Sequence, residues 1–279
     1  MIELTDEQQA AVEKILGNRI CLLTGGPGVG KTTTLSVAAK EMKPHETYFC
    51  APTGRAAQRM SEALGESGLG MVATTIHSLL MPTRNGHEKK GWGFGFNKQN
   101  KLPAKNIVCD ETSMCDNSIL QSLITALSDD CRLILVGDPD QLPPVGVGAG
   151  LRDLINTGIV PHAKLTKIHR FAGRIAHVCQ QINRGKRWIP SAVINDSPDA
   201  SEFGPENLKH IERRSPAECI DAMQATVEAL ISRRGFHPLN DIQVLCSRND
   251  QGPMSRKALN ERLQVMLNKN GETLEGCPF

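Results

Sequence analysis

Gly25-Gly26-Pro27-Gly28-Val29-Gly30-Lys31-Thr32 decides the fold. It fits the pattern GxxxxGK[ST], lies directly after an apolar run, and opens an amphipathic segment. Glycines at these places let backbone N–H groups curl around phosphate oxygens, and the helix that follows adds the positive end of its dipole. Lys31 is expected to reach the β- and γ-phosphates, and the Thr32 hydroxyl to ligate magnesium. Gly26, Pro27, Gly28, Val29, Gly30, Lys31, Thr32 and Thr33 form the expected ATP-binding set. The other reading of such a stretch is a glycine-rich turn with a solvated lysine, and the strand-then-helix setting argues against it.

Outward from this loop, short apolar strands alternate with amphipathic helices, which predicts an α/β fold with a mainly parallel sheet. Strands are expected at Arg19–Thr24, Tyr48–Ala51, Asn106–Asp110 and Cys131–Gly137. Helices are expected at Lys31–Glu41, Arg55–Leu64 and Asp116–Leu127. Two stretches break the rhythm. Residues 82–104 are polar and carry Trp92, Phe94 and Phe96 at a spacing of two, and a second break falls near Gly158. Residues 1–158 then form one domain with 82–104 as an insertion, and 159–279 a second. The second should hold Leu165–Arg170, a helix around Ile175–Asn183, a surface loop at Pro190–Pro205 and a strand at Ile242–Cys246.

Composition narrows the class without naming a partner. The 279 residues carry a formal net charge of +2, too mild to establish nucleic-acid binding. The nine cysteines include no CxxC pair. Cys21, Cys109, Cys131 and Cys246 lie in apolar runs, so reduced structural thiols and no zinc site are expected. No apolar run approaches the ~20 residues needed to cross a bilayer, and the acidic start (Glu3, Asp6, Glu7) does not resemble a signal peptide. A soluble cytoplasmic protein is expected.

The strand 106–109 ends in Asp110-Glu111. Placed on a strand neighbouring the phosphate loop, Asp110 would hold magnesium, and Glu111 would orient or deprotonate the attacking water. An Asp-Glu pair after a strand is often only a loop start; the phosphate loop makes the catalytic reading the better one.

The remaining motifs resemble those of RecD-like and Dda-like superfamily 1 DNA helicases. Leu4-Thr5-Asp6-Glu7-Gln8 resembles the Q-motif, Ala51-Pro52-Thr53-Gly54-Arg55-Ala56-Ala57 motif Ia, and Thr74-Thr75-Ile76-His77 motif Ib. Asp110-Glu111-Thr112-Ser113-Met114 resembles motif II. Gly137-Asp138-Pro139-Asp140-Gln141-Leu142-Pro143-Pro144-Val145-Gly146 is similar to motif III and is the most specific piece. Leu165-Thr166-Lys167-Ile168-His169-Arg170 resembles motif IV. The match is good over residues 4–170 and thins afterwards.

The resemblance implies a P-loop RecA-like domain, a hairpin insertion and a partial second RecA-like domain. It implies ATP and Mg2+ as cofactors and, as partners, single-stranded DNA and forked duplex, with no membrane role and protein partners unknown. Gln8 would read the adenine edge, although Thr5-x-x-Gln8 is also a helix capping box. Gln141 would sense the γ-phosphate, and Arg170 would stabilise transition-state charge. Pro52, Thr53 and His77 would lie on the DNA face, His77 being equally readable as a core histidine. Phe94 and Phe96 would belong to a pin that splits the duplex, with Asn97-Lys98-Gln99-Asn100 at its tip. The alternative is that these rings anchor the insertion to the body.

Two departures stand out. Phe171 follows Arg170 where the family has glutamine, and no stretch before Phe279 resembles motifs V and VI. The expected function is an ATP-dependent 5′ to 3′ DNA helicase or translocase, this chain alone being weakly active; the alternative is a module that binds ATP and single-stranded DNA without unwinding.

Overall fold

The computed structural model describes residues 4–84, 92–167, 179, 181–186 and 210–268. The chain divides into two units, Met1–Arg170 and Phe171–Phe279.

In the first unit, the apolar runs read from the sequence become strands: β1 (Ile20–Gly25), β2 (Thr47–Ala51), β6 (Asn106–Cys109) and β7 (Arg132–Gly137). β3 (Ala73–Thr75) and β8 (His162–Leu165) join them. All six pair in parallel, in the order β3-β2-β6-β7-β1-β8. Strands buried on both faces are continuous apolar runs because helices cover a parallel sheet on each side. The helices are α1 (Asp6–Gly17), α2 (Lys31–Lys40), α3 (Gly54–Glu66), α4 (Ile76–Leu80), α5 (Asn117–Ala126) and α6 (Gly150–Thr157). Two buried apolar clusters form the core, one around Leu23, Leu35, Phe49 and Val136, the other around Leu22, Ile107, Leu123 and Leu135.

Three sequence expectations change here. β7 lies between β1 and β6, so the strand of the acidic pair is not the immediate neighbour of the phosphate-loop strand. β8, C-terminal to the break near Gly158, pairs with β1 and completes the first sheet. The insertion is a hairpin of β4 (Pro82–Arg84) and β5 (Trp92–Phe94), antiparallel to one another. The residues that connect these two strands are 85–91, outside the described residues. Asn97–Asn100 are therefore not the tip: they form a turn after β5, closed by the Asn97 N–H to the Asn100 carbonyl at 2.8 Å.

In the second unit, α7 (Pro216–Arg234) starts with the Ser215 cap and Pro216 and stops at Gly235, whose φ is +68°. α8 (Arg256–Leu267) starts with the Ser255 cap. The run Ile242–Cys246 forms no strand, and Leu245 is 81% exposed; its residue types suit a strand, but the described residues offer it no sheet to join. Residues 181–183 are helical, whereas most of the expected helix at 175–183 and the whole loop at 190–205 lie outside the described residues. Among the described residues no helix is long and apolar enough to cross a membrane.

Candidate nucleotide site and nucleic-acid groove

The phosphate loop leaves the C-terminal end of β1 and enters α2 through Gly30, which caps the helix at φ +86°; Gly28 is also left-handed, at +78°. Only glycine adopts these angles without strain. Gly25 is required for a different reason. A Cβ there would fall 2.6 Å from the Leu165 carbonyl oxygen and 2.7 Å from Val29 Cγ2. The loop is thus wedged against β8. The Lys31 ammonium donates to the carbonyls of Gly25 and Gly26 at 2.6 and 3.0 Å, which holds its charge over the loop. The Thr32 side chain, one position on, is exposed.

Of the two sequence readings of Gln8, the structure forms the capping box: the Gln8 N–H donates to Thr5 Oγ1, and Gln8 Oε1 accepts from the Thr5 N–H at 3.1 Å. The amide nitrogen donates to the Val29 carbonyl at 3.4 Å, and the residue is buried. The amide therefore ties α1 to the phosphate loop. Beside it, the Glu7 carboxylate accepts from the Thr166 N–H (2.9 Å), the Thr166 hydroxyl (2.8 Å) and the Lys167 N–H (3.1 Å). Glu7 was not among the residues singled out from sequence; no local pattern shows a partner some 160 positions away.

The acidic pair ends β6. The Asp110 N–H donates to the Cys50 carbonyl at 2.9 Å, and Asp110 Oδ1 accepts from the Glu111 N–H at 2.8 Å. Burial pushes the Asp110 carboxyl up to about 6; the Glu111 N–H and the Lys31 ammonium pull it down, and the Glu111 and Cys109 charges push it further up. A carboxylate that pays to ionise is stabilised by a nearby dication, so Asp110 with the exposed Thr32 hydroxyl fits the donor set for a hard cation. Glu111 has φ +51°, and among the described non-glycine residues only it and Met81 are left-handed. Such a conformation costs on the order of 1–3 kcal/mol and tends to be kept where function needs it. Behind the pair, hydrogen bonds to Cys109 and then burial push the Cys50 and Cys115 thiols up, leaving them protonated and inert. Cys21, Cys109 and Cys131 are buried as expected, but Cys246 is exposed. Among the described residues no group of His, Cys, Asp and Glu forms a metal cluster.

Motif III follows β7. The Gln141 N–H donates to the Asp138 carbonyl at 3.2 Å, and Gln141 Oε1 accepts from the Ser113 hydroxyl at 3.3 Å, joining this stretch to the turn after Glu111. Arg170 lies outside the described residues.

A cavity of about 290 Å³ opens beyond the ends of β2 and β3. It is lined by Pro52, Thr53 and His77, expected on the DNA face, and Phe94, expected in the pin, together with Met114, Asp116 and the partly exposed side of α5 at Ser118, Ile119 and Ser122. His77 is exposed, so it is not a core histidine; its ring lies 5.8 Å from that of Phe94, tilted by 57°. Thr53 caps α3 by accepting from the Ala56 N–H at 3.2 Å. Phe94 and Phe96 are half-buried against the second core cluster, as the anchoring alternative has it, and Phe96 does not line the cavity. The α5 residues escaped the sequence reading because they read as an ordinary amphipathic helix face.

The model of the AAA domain family matches residues 3–195. The RecBCD enzyme subunit RecD of Mycolicibacterium smegmatis is 33% identical over 97% of this chain and 52% of its own length. The ATP-dependent RecD2 DNA helicase of Deinococcus radiodurans is 38% identical over 61% of this chain and 22% of its own length. The chain spans about half the length of the first of these relatives. Among solved structures, a Pif1 helicase from Bacteroides in complex with ADP-AlF3 and ssDNA aligns over 98% of this chain and 58% of its own, with 19% identity and a TM-score of 0.54. That likeness shows the fold.

Proposed function

Since the chain belongs to the AAA domain family and is RecD-like, of the superfamily 1 helicase kind, we propose that it hydrolyses ATP and couples the reaction to 5′ to 3′ movement on single-stranded DNA. The observation that carries this reading is the placement of two features on one sheet edge. The phosphate loop, Asp110 and Glu111 lie at the ends of β1 and β6, and the cavity holding Pro52, Thr53 and His77 lies beyond β2 and β3 on the same edge. In open parallel sheets, ligands bind beyond the carboxyl ends of the strands.

Each side chain then has a role. The N–H groups of Gly26 and of residues 28–33, at the start of α2, bind the phosphates, and Lys31 neutralises charge on them. The Thr32 hydroxyl and Asp110 would hold a magnesium ion, which would supply positive charge to offset that of the phosphates. The left-handed backbone at Glu111 aims its carboxylate to orient a water and accept its proton. Gln141 reports the phosphate state to the loop before α6, and Arg170 stabilises the charge that develops during transfer. In the groove, the Thr53 hydroxyl and the N–H groups that open α3 bind backbone phosphates, which position a strand without reading its sequence. His77 and Phe94 offer ring faces for stacking. Gln8 would reach the adenine edge only by releasing its amide from the Val29 carbonyl.

The test is strand displacement on duplexes with a 5′ or a 3′ single-stranded tail. Displacement from the 5′-tailed duplex alone, lost in Lys31→Ala, is the expected result. Displacement from the 3′-tailed duplex, or from both equally, would refute the polarity.

A further inference from the structure

The cavity wall and motif III meet at the start of α5. One side of this helix supplies Asp116, Ser118, Ile119 and Ser122 to the cavity. Its first turn also carries the chain that follows motif III. The Asn117 N–H donates to the Val147 carbonyl at 3.0 Å. A Cβ on Gly146 would fall 2.1 Å from Asp116 Oδ2, and one on Gly148 would fall 2.2 Å from Asn117 Cγ. At Gly146 the Asp116 Cβ, 2.7 Å away, leaves no space for a methyl group, and at Gly148 a methyl group would have to push the exposed Asn117 amide aside.

Little else fixes that stretch. Leu142, Val145 and Val147 are 86%, 109% and 89% exposed, so apolar burial does not hold it in register. At its near end Gln141 is bonded to Ser113, two residues beyond Glu111. Contacts join the cavity wall to α5 and to residues 146–148, the exposed chain of residues 142–145 leads from there to Gln141, and the Ser113 hydroxyl joins Gln141 to the turn of the acidic pair.

We propose that Asn117 is a positioning residue: with Asp116, it forms the joint through which a strand lying in the cavity shifts motif III and thereby the geometry at Glu111. This rests on the reading of the cavity as the DNA groove. A strand pressing on Asp116, Ser118 or Ile119 displaces the start of α5, and the tight fit at Gly146 and Gly148 makes the neighbouring chain follow.

The experiment compares ATP hydrolysis, with and without an oligothymidylate, in the unaltered protein and in Gly148→Ala and Gly158→Ala, with oligothymidylate affinity measured by anisotropy. Both glycines are left-handed, at φ +95° and +65°, but nothing lies within 4 Å of a Cβ at Gly158. Gly158→Ala is thus a control for backbone strain without the contact. Gly148→Ala should keep unstimulated hydrolysis and DNA affinity within about twofold and lose at least about fivefold of the stimulation. Asn117→Gly, which removes the joint from its other side, should lose the stimulation as well, and Gly158→Ala should be stimulated normally. Intact stimulation in Gly148→Ala, or equal loss in Gly158→Ala, overturns the joint while leaving the groove in place. An unaltered protein that neither binds nor responds to the oligothymidylate overturns the groove reading itself, and the joint with it.

Discussion

Two adjacent glycines in the phosphate loop should differ sharply in what they tolerate. At Gly25 an added methyl meets the Leu165 carbonyl oxygen at 2.6 Å, Val29 Cγ2 at 2.7 Å and Leu165 Cβ at 3.3 Å; at Gly26 it meets nothing within 4 Å. The Val29 side chain can rotate away. The Leu165 carbonyl cannot, because Gly25 and Leu165 are register partners of β1 and β8, and moving it strains that edge of the sheet. Inserting a methylene-sized group into a packed site costs about 1–3 kcal/mol, and a backbone neighbour puts Gly25→Ala in the upper half of that range. A loss of about 2 kcal/mol is roughly thirtyfold in the folding equilibrium. Gly26→Ala should instead be neutral, or more stable by up to about 1 kcal/mol through the unfolded chain. Urea titrations of both variants, with unchanged m-values, measure this directly. Equal stability of the two would refute the wedge of the phosphate loop against β8.

His162 sets a pH dependence. Burial, then the Lys164 and Lys14 charges, hold its ring below the usual 6.5, and its Nε2 lies 2.6 Å from Thr24 Oγ1. A depressed folded value means stability is complete above pH 6.5 and declines as the pH falls below it, because the unfolded chain binds the proton more readily; His162→Gln should flatten a plot of melting temperature against pH in that window. For the insertion, Phe94→Ala and Phe96→Ala should each lower stability by about 1–2 kcal/mol in thermal melts, less than a fully buried ring because both are half-exposed. Unchanged melting would restore them to a pin with no anchoring role.

Long apolar runs made most of the first sheet legible. β1, β2, β6 and β7 are each four to six residues of nearly continuous burial, and such runs between turn signals read clearly. β3 and β8 were missed because Ala73–Thr75 and His162–Leu165 are too short and mixed to show a period; only their parallel partners make them strands. The reverse error occurred at Ile242–Cys246, where a strand-like composition forms no ladder. The phosphate loop and acidic pair were legible because their chemistry fixes residue types at fixed spacing. The Glu7 clamp on Thr166 and the α5 wall of the cavity were not, since each depends on distant segments meeting through the fold.

On this reading the phosphate loop and Glu111 turn over ATP under the control of DNA in the neighbouring cavity. Steady-state ATP hydrolysis by the unaltered protein and by Glu111→Gln, each with and without single-stranded DNA, together with binding of a fluorescent ATP analogue, tests it most directly. We expect DNA-stimulated turnover in the unaltered protein, and in Glu111→Gln retained nucleotide binding with turnover reduced at least about a hundredfold, the low end of what a positioned base contributes. Turnover by Glu111→Gln at the unaltered rate, or hydrolysis indifferent to DNA, would contradict it.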